Sequence, residues 1–600
     1  MDNKKSHKMI TAIGYLIRTI GQENPLLNLL IFLCIVSTVG ASFLLVYIPS
    51  LAVHAVENRV NAASFIALAA MAVGYIAVLA VQRGAQGGRG MRQLFLGRSL
   101  LYRIFLRRME YDYAYTESME GRQAYEKARQ VCWWGTDFRL LLEGLMDLFV
   151  CVFSFLLYSG ILSTLNPLLI ILLLALSAVN YLMLRRAQRA NDVRRDEQAA
   201  ESGKLFSLIN AFKNTKIGKD VRLYHMANGL EAMLDKSLKK LQGINLEFQK
   251  KMAQAQSMEG VTTALRDGAA YLYLIYQACN GAITISEFVF YFGVISQFSN
   301  FVTVCVQSFG TLQMGCSGVL AVKDYLEMEE VVDTESGDQK SFPENVSIEF
   351  EDVCFSYDGK TNVLDHFNLK IQNGEKIALV GINGAGKTTL VKLICGLYSP
   401  QSGQIYIQGR PALSMSFRER ASYMAVLFQE NLILPYSVAE NVSLRPLKNT
   451  DEALVTECLK EVGLLEAVNG YDSGIYTQMT KAVTEKGISL SGGQQQKLLM
   501  ARVLYRISSA LWILDEPTAS LDPVAESETY TQFHQLCGNR TCIYISHRLA
   551  STRFLDRIVV LENGKIIETG THQELMQYGG QYARLFSIQS QYYKEETTNA

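Results

Sequence analysis

The chain has 600 residues, enough for several domains. Apolar side chains make up 49% of it and charged ones only 19%, a balance that calls for a membrane portion. Its 57 basic and 57 acidic residues cancel, so net charge gives no support for a nucleic-acid-binding surface.

At the N-terminus Ile10, Ile13, Ile17 and Ile20 recur at helical spacing with Lys8 and Arg18 among them, which suits a short helix lying along the inner membrane face. Six long apolar stretches follow, near residues 26–48, 62–82, 145–164, 168–184, 262–279 and 286–308. Each approaches the roughly 20 residues that a helix needs to cross a ~30 Å hydrocarbon layer. The first is too long, and too closely followed by others, to be a signal peptide.

Charge sets the orientation. Lys4, Lys5, Lys8 and Arg18 precede the first stretch. Arg83, Arg89, Arg92, Arg98, Arg103, Arg107 and Arg108 follow the second, and Arg185, Arg186, Arg189, Arg194 and Arg195 the fourth. The other connections are short and nearly uncharged, so both chain ends are expected in the cytoplasm. About 60 residues separate stretches two and three and about 75 separate four and five, lengths that carry structure in a compact protein. The spanning helices are therefore expected to continue into the cytoplasm and to turn near Tyr111–Arg122 and Lys213–Tyr224.

The fold class expected is a multidomain chain: an all-α polytopic membrane domain over 1–325, with six transmembrane helices and long cytoplasmic extensions, then an α/β nucleotide-binding domain over 347–590. An acidic, polar linker with Gly337 and Pro343 occupies 326–346, and a polar tail 591–600. The eleven cysteines are scattered without a C-x-x-C pair. Cys354, like Cys34, Cys151, Cys305, Cys395 and Cys542, reads as a reduced packing residue and not as part of a disulfide or metal framework.

The strongest local signal is Gly381-Ile-Asn383-Gly384-Ala385-Gly386-Lys387-Thr388-Thr389. It follows an apolar strand, Ile377–Val380, and opens a helix at Leu390–Cys395. Glycines let successive N–H groups converge on one anion, and the helix N-terminus adds partial positive charge. Lys387 can reach the outer phosphates and the Thr388 hydroxyl can ligate Mg²⁺. A second strand, Ala510–Leu514, ends in Asp515 and Glu516. There the first carboxylate can hold Mg²⁺ through water and the next can polarise an attacking water. Leu490-Ser491-Gly492-Gly493-Gln494 opens another helix, a second anion-binding end or an ordinary N-cap. Gln429 and His547 each stand at the end of a β-like run, as catalytic groups or as satisfied structural residues.

Taken together these residues resemble the ATP-binding cassette transporters, over essentially the whole chain. Gly381–Thr389 is similar to the Walker A loop, Leu511–Asp515 to Walker B, Glu516 to the catalytic carboxylate, and Leu490–Gln494 to the family signature. Gln429 is similar to the Q-loop glutamine, Ser520-Leu521-Asp522 to the D-loop, His547 to the switch histidine, and Tyr357 to the aromatic that stacks on adenine. Six spans before one cassette resemble the exporter-type half transporters, and Glu485 fits their loop ahead of the signature. Lys497 departs from the usual arginine there and keeps the charge without the fork.

The resemblance implies ATP and Mg²⁺ as cofactors, with Thr388, Gln429 and Asp515 at the metal and Lys387, Gln429, Glu516 and His547 in hydrolysis. Two cassettes would share two ATP molecules, Ser491, Gly492 and Gly493 of one closing on the γ-phosphate held by the other. That requires a homodimer or a heterodimer with a related half transporter. The expected role is ATP-driven export of peptides or amphipathic small molecules across the cytoplasmic membrane; a lipid flippase, an importer with exporter layout and a regulatory partner subunit share the layout.

For the cargo path, the sixth stretch offers Phe288, Phe290, Tyr291, Phe292, Gln297, Phe298, Phe301 and Gln307, and the fifth Tyr271, Tyr273 and Tyr276. Core packing is the competing reading of that aromatic stripe. Charges are rarer in such a setting. Glu143 and Asp147 could meet a cationic cargo or form an i, i+4 ladder with Arg139, and Arg266 and Asp267 stand near the start of the fifth stretch.

Overall fold

The computed structural model describes residues 2–57, 62–167, 195–213, 217–328, 345–429, 432–480, 487–517, 535–546 and 548–598, with scattered positions between 170 and 182. It divides into two compact units. One is Met1–Glu110 with Met119–Met328; the other is Tyr111–Ser118 with Glu329–Ala600.

The first unit is helical throughout its described residues. In chain order the helices are α1 (Asp2–Glu23), α2 (Pro25–Glu57), α3 (Ala62–Glu110), α4 (Tyr113–Glu117, which falls in the second unit), α5 (Met119–Trp134), α6 (Thr136–Leu165), α7 (Arg195–Lys213), α8 (Ile217–Leu223), α9 (Ala227–Cys279) and α10 (Ile285–Leu326). Local chemistry sets the ends. Pro25 takes the first position of α2, where its missing N–H costs nothing. Thr284 and Glu287 form a reciprocal capping box at the start of α10.

Helix α1 buries Ala12, Leu16, Thr19 and Ile20, while Ile10 and Ile17 stay exposed. Glu23 at its end pairs with Arg103 and accepts a 2.7 Å hydrogen bond from Ser99, tying α1 to the basic half of α3.

Among the described residues four helices are long and apolar enough to cross a membrane: α2, α3, α6 and α10. The stretch at 168–184 lies mostly outside the described residues. The stretch at 262–279 forms the end of the 53-residue α9, where Arg266, Asp267 and several small or polar residues dilute its apolar character. The 49 residues of α3 run about 74 Å at ~1.5 Å per residue, far beyond the apolar segment that starts it.

The crossing of α6 and α10 is the tightest in this unit. A Cβ added at Gly315 would stand 2.6 Å from the Leu141 nitrogen and 2.7 Å from the Asp137 carbonyl oxygen. One added at Gly144 would stand 2.9 Å from Leu312 Cγ. Because backbone, not a movable side chain, blocks Gly315, Gly315→Val is expected to cost at least the ~1–3 kcal/mol of ordinary overpacking. A lowered thermal midpoint of the detergent-purified protein checks this; an unchanged midpoint would mean that the two helices separate freely.

Several rings of the aromatic stripe pack against one another or against α6. Phe298 lies 5.6 Å from Phe155, Phe301 lies 5.9 Å from Tyr158, and Phe292 stacks on Tyr271 at 4.2 Å. Glu143 finds its nearest cation across the bundle, Arg89 of α3 at 3.9 Å, and not along its own helix. Arg266 is buried against Asp267 at 3.0 Å, and Asp267 also accepts a 2.7 Å bond from Ser299 of α10.

The second unit holds two sheets. One runs β2-β1-β4-β5, made of β1 (Ile348–Phe355), β2 (Leu364–Ile371), β4 (Ser402–Ile407) and β5 (Arg410–Pro411). The other runs β10-β9-β3-β8-β7-β6, made of β3 (Lys376–Gly381), β6 (Met424–Leu427), β7 (Leu511–Asp515), β8 (Thr541–Ile545), β9 (Arg557–Glu562) and β10 (Lys565–Gly570). Strands β9, β3, β8, β7 and β6 are mutually parallel. Their residues are buried on both faces, as covered parallel strands must be. Leu511, Ile513, Ile543 and Ile545 point into one core, and Trp512, Leu514, Cys542 and Tyr544 into the other. This two-sided burial anchors the C-terminal strand ends, where the chemistry-bearing residues emerge.

Candidate nucleotide site

Strand β3 ends at Gly381, and helix α11 (Lys387–Ile394) begins after Gly386. Two glycines in the intervening loop are sterically required. A Cβ at Gly381 would run into the Leu561 carbonyl. Gly386 has φ of 100°, and a Cβ there would lie 2.9 Å from Leu364 Cδ2. Ala385 is buried, and its N–H bonds back to the Ile382 carbonyl at 3.2 Å. The loop therefore curls tightly into the N-terminus of α11, a geometry that presents backbone N–H groups to an anion.

Lys387 is only 6% exposed. Its ammonium donates to the Gly381 and Ile382 carbonyls at 2.8 and 3.0 Å. Burial pushes its pKa down, and the charges of Asp515 and Glu516 pull it back. Thr388 Oγ1 donates to Asp515 Oδ2 at 2.9 Å, joining α11 to the end of β7. Asp515 is 1% exposed; burial raises its pKa and the Thr388 bond lowers it, with burial the larger effect. A hydroxyl and a carboxylate side by side beside a phosphate cradle are hard oxygen donors, which fit Mg²⁺.

Glu516 adopts φ of 51°, a left-handed conformation unusual for glutamate. Among the described residues three bonds hold it there. Its N–H donates to the Ile545 carbonyl at 2.9 Å, its own carbonyl accepts from Gln496 Nε2 at 3.1 Å, and its carboxylate accepts from Gln429 Nε2 at 3.0 Å. Such a backbone costs of order 1–3 kcal/mol and persists only where the surroundings over-determine it. The ends of β3, β7 and β6 thus deliver Lys387, Thr388, Asp515, Glu516 and Gln429 to one edge of the sheet. Gln496 has no signal of its own in the sequence; it lies inside a run of three glutamines, and no motif marks which one turns inward.

Tyr357 is 49% exposed. It meets Phe355 and Tyr398 edge-on, at 4.9 and 5.2 Å between ring centroids, and its hydroxyl lies 3.1 Å from Thr389 Oγ1. Tyr398 in turn meets Tyr113 at 5.7 Å. Asn383 and Gly384 stay exposed at the loop tip.

Ser491 is the N-cap of helix α12 (Gly492–Leu504) and forms a capping box with Gln494. Among the described residues its hydrogen bonds run to its own helix end, at Gln494 and Gln495. The structure does not link it, or Gly492 and Gly493, to the phosphate loop. Asp522, His547 and Glu485 lie outside the described residues.

Comparison with known proteins agrees with this geometry. The profile of the ABC transporter family matches residues 364–519. A putative multidrug export ATP-binding/permease protein, YgaD of Bacillus subtilis, is 34% identical over 52% of this chain and 53% of its own. An ATP-dependent lipid A-core flippase of Polaromonas sp. is 28% identical over 75% of this chain and 74% of its own. The chain spans about half the length of several curated relatives that it matches, 53% and 59% in two of them. The structure of a bacterial Atm1-family ABC exporter with ATP bound superposes with a TM-score of 0.78 at 19% identity, covering 94% of this chain and 99% of that one; that likeness speaks to the fold. Residues 364–519 thus match the ABC transporter family, and the chain shares the exporter's fold, a helical N-terminal unit followed in sequence by an α/β cassette.

Proposed function

We propose that this chain is one half of a dimeric, ATP-driven exporter of amphipathic small molecules or peptides, integral to the cytoplasmic membrane with both ends in the cytoplasm. One observation carries the reading. The Lys387–Thr388–Asp515–Glu516–Gln429 constellation is built into the same chain as helices long and apolar enough to cross a bilayer. The count of six spans adds 168–184 and the end of α9 to the four helices that meet the length and apolarity expected.

In this reading the loop N–H groups and Lys387 bind the β- and γ-phosphates, and Tyr357 stacks on the adenine. Thr388 and Asp515 hold Mg²⁺, with the Gln429 amide oxygen as the resemblance implies; the ion offsets phosphate charge when bound. Glu516 orients and polarises the attacking water. His547 reads the γ-phosphate, and Asp522 with Ser491, Gly492, Gly493 and Gln494 serves the shared site of a second cassette. ATP favours the closed cassette pair, and that difference in affinity tips the membrane helices.

Tyr357→Ala is expected to weaken nucleotide binding about tenfold, within the ~1–3 kcal/mol of a base–aromatic stack. Tyr357→Phe should bind nearly as the parent does, because the stack outweighs the Thr389 hydrogen bond. Titration with a fluorescent ATP analogue checks both; equal binding by all three proteins would take the adenine away from Tyr357.

The function is tested in inside-out vesicles supplied with ATP and a panel of fluorescent amphipaths and labelled peptides. ATP-dependent accumulation that disappears in Glu516→Gln supports export; intact ATPase with no accumulation of any probe refutes it. Several relatives are named lipid A-core flippases, which favours lipid as a second cargo class. Dithionite quenching of a fluorescent lipid in proteoliposomes reads that directly. ATPase assay of the chain purified alone separates a homodimer, which turns over, from one half of a heterodimer.

A further inference from the structure

The β1–β2 ladder contains an irregularity with chemical consequences. Val353 pairs with Phe367 and Phe355 pairs with Leu364. Between these pairs β1 has one residue, Cys354, and β2 has two, Asp365 and His366. This two-against-one arrangement is a β-bulge, which re-aims side chains that a regular ladder would send to opposite faces. His366 at φ 48° and Asp352 at φ 50° carry the strain of the bulged region. The outcome is that Cys354 Sγ, an Asp365 carboxylate oxygen and a His366 ring nitrogen all lie within 4.8 Å of one another.

We propose that Cys354, Asp365 and His366 form a binding site for a thiophilic divalent cation of the zinc type on the surface of the cassette. Thiolate, imidazole and carboxylate are the donors that Zn²⁺ selects. Donors around a tetrahedral ion stand about 3.5 Å apart, so closing the site takes side-chain movements of about an ångström. Further groups complete it. Asp352 Oδ1 lies 2.7 Å from His366 Nδ1, placed to orient the ring or to serve as a fourth ligand. Lys565 holds Asp365 ionised at 2.8 Å, and the ion must share or displace it. Cys354 is half-buried, and its sulfur accepts the His366 backbone N–H at 3.3 Å. The same hairpin carries Tyr357, and its Val363 and Leu364 abut Gly386, so an ion clamped at its base stiffens one wall of the nucleotide site.

The test is a Co²⁺ titration of the full-length, detergent-purified chain under a non-thiol reductant, followed by Zn²⁺. A thiolate-to-cobalt charge-transfer band is expected to saturate at one equivalent per chain and to be displaced by Zn²⁺. It should vanish in Cys354→Ser, weaken at least tenfold in His366→Ala, and survive in Cys279→Ser, which removes the exposed cysteine. In the unmodified chain, Zn²⁺ should slow maleimide labelling of Cys354, read by peptide mass spectrometry, by at least tenfold. A band that persists in Cys354→Ser, the absence of a saturable band, or labelling unaffected by Zn²⁺ would overturn the proposal.

Discussion

Glu516→Gln is expected to bind ATP as the parent chain does and to hydrolyse it about a hundred- to ten-thousandfold more slowly, the range that a positioned acid–base group supplies. The substitution is nearly isosteric. The three hydrogen bonds seen among the described residues survive it. The N–H to Ile545 and the carbonyl that accepts from Gln496 are backbone groups, and a glutamine oxygen accepts from Gln429 as a carboxylate oxygen does. The left-handed backbone at φ 51° is kept as well, so neither the strand end nor the phosphate loop has reason to move. What disappears is the negative charge that, in the function proposed above, polarises water. Steady-state phosphate release gives the rate, and titration with a fluorescent ATP analogue gives the affinity. Hydrolysis within tenfold of the parent, in a chain that hydrolyses ATP as a homodimer, would remove Glu516 from the chemistry.

The constellation around Glu516 is largely legible in the amino-acid sequence, because short segments of chain specify it. An apolar strand, a glycine loop and a helix start leave little freedom to Lys387 and Thr388, and β3 and β7, parallel with β8 between them, bring Asp515 to Thr388. What is illegible depends on distant pairings. Gln496 closes on Glu516 only because α12 packs into the core that Trp512 and Leu514 of β7 share. Glu143 meets Arg89 because α3 and α6 approach each other at that point, whereas spacing along one helix suggests Arg139. The apolar stretches mark where helices enter lipid and not where they stop, so the length of α3 depends on its polar half. Cys354 reads as inert because nothing local signals a bulge; it is the extra residue on β2 that sets an aspartate and a histidine beside the sulfur.

Asp515→Asn should separate stability from activity at the same site. Hydrolysis is expected to fall about a hundredfold or more, since a group that holds a catalytic cation accounts for several kcal/mol of charge stabilisation. The nucleotide-free protein, by contrast, should become more stable at neutral pH. Burial raises the Asp515 pKa in the folded chain, outweighing the Thr388 bond and the Lys387 charge. The folded form therefore binds the Asp515 proton more tightly than the unfolded form. As pH rises from the unfolded carboxylate value of ~3.9 through the raised folded value, this residue takes stability away. Above the folded value the whole penalty is present. Asparagine has no charge to desolvate, and its oxygen still accepts from Thr388 Oγ1. The thermal midpoint should rise by ~2–4 °C per kcal/mol recovered in a domain of this size, measured without nucleotide at one scan rate. The gain should shrink as pH falls through the folded pKa, where the parent carboxyl takes up its proton. A midpoint lower than the parent's at pH 7 would show that attraction to Lys387 outweighs burial, and that the carboxylate is held in the resting fold by its ion pair and not in spite of its surroundings.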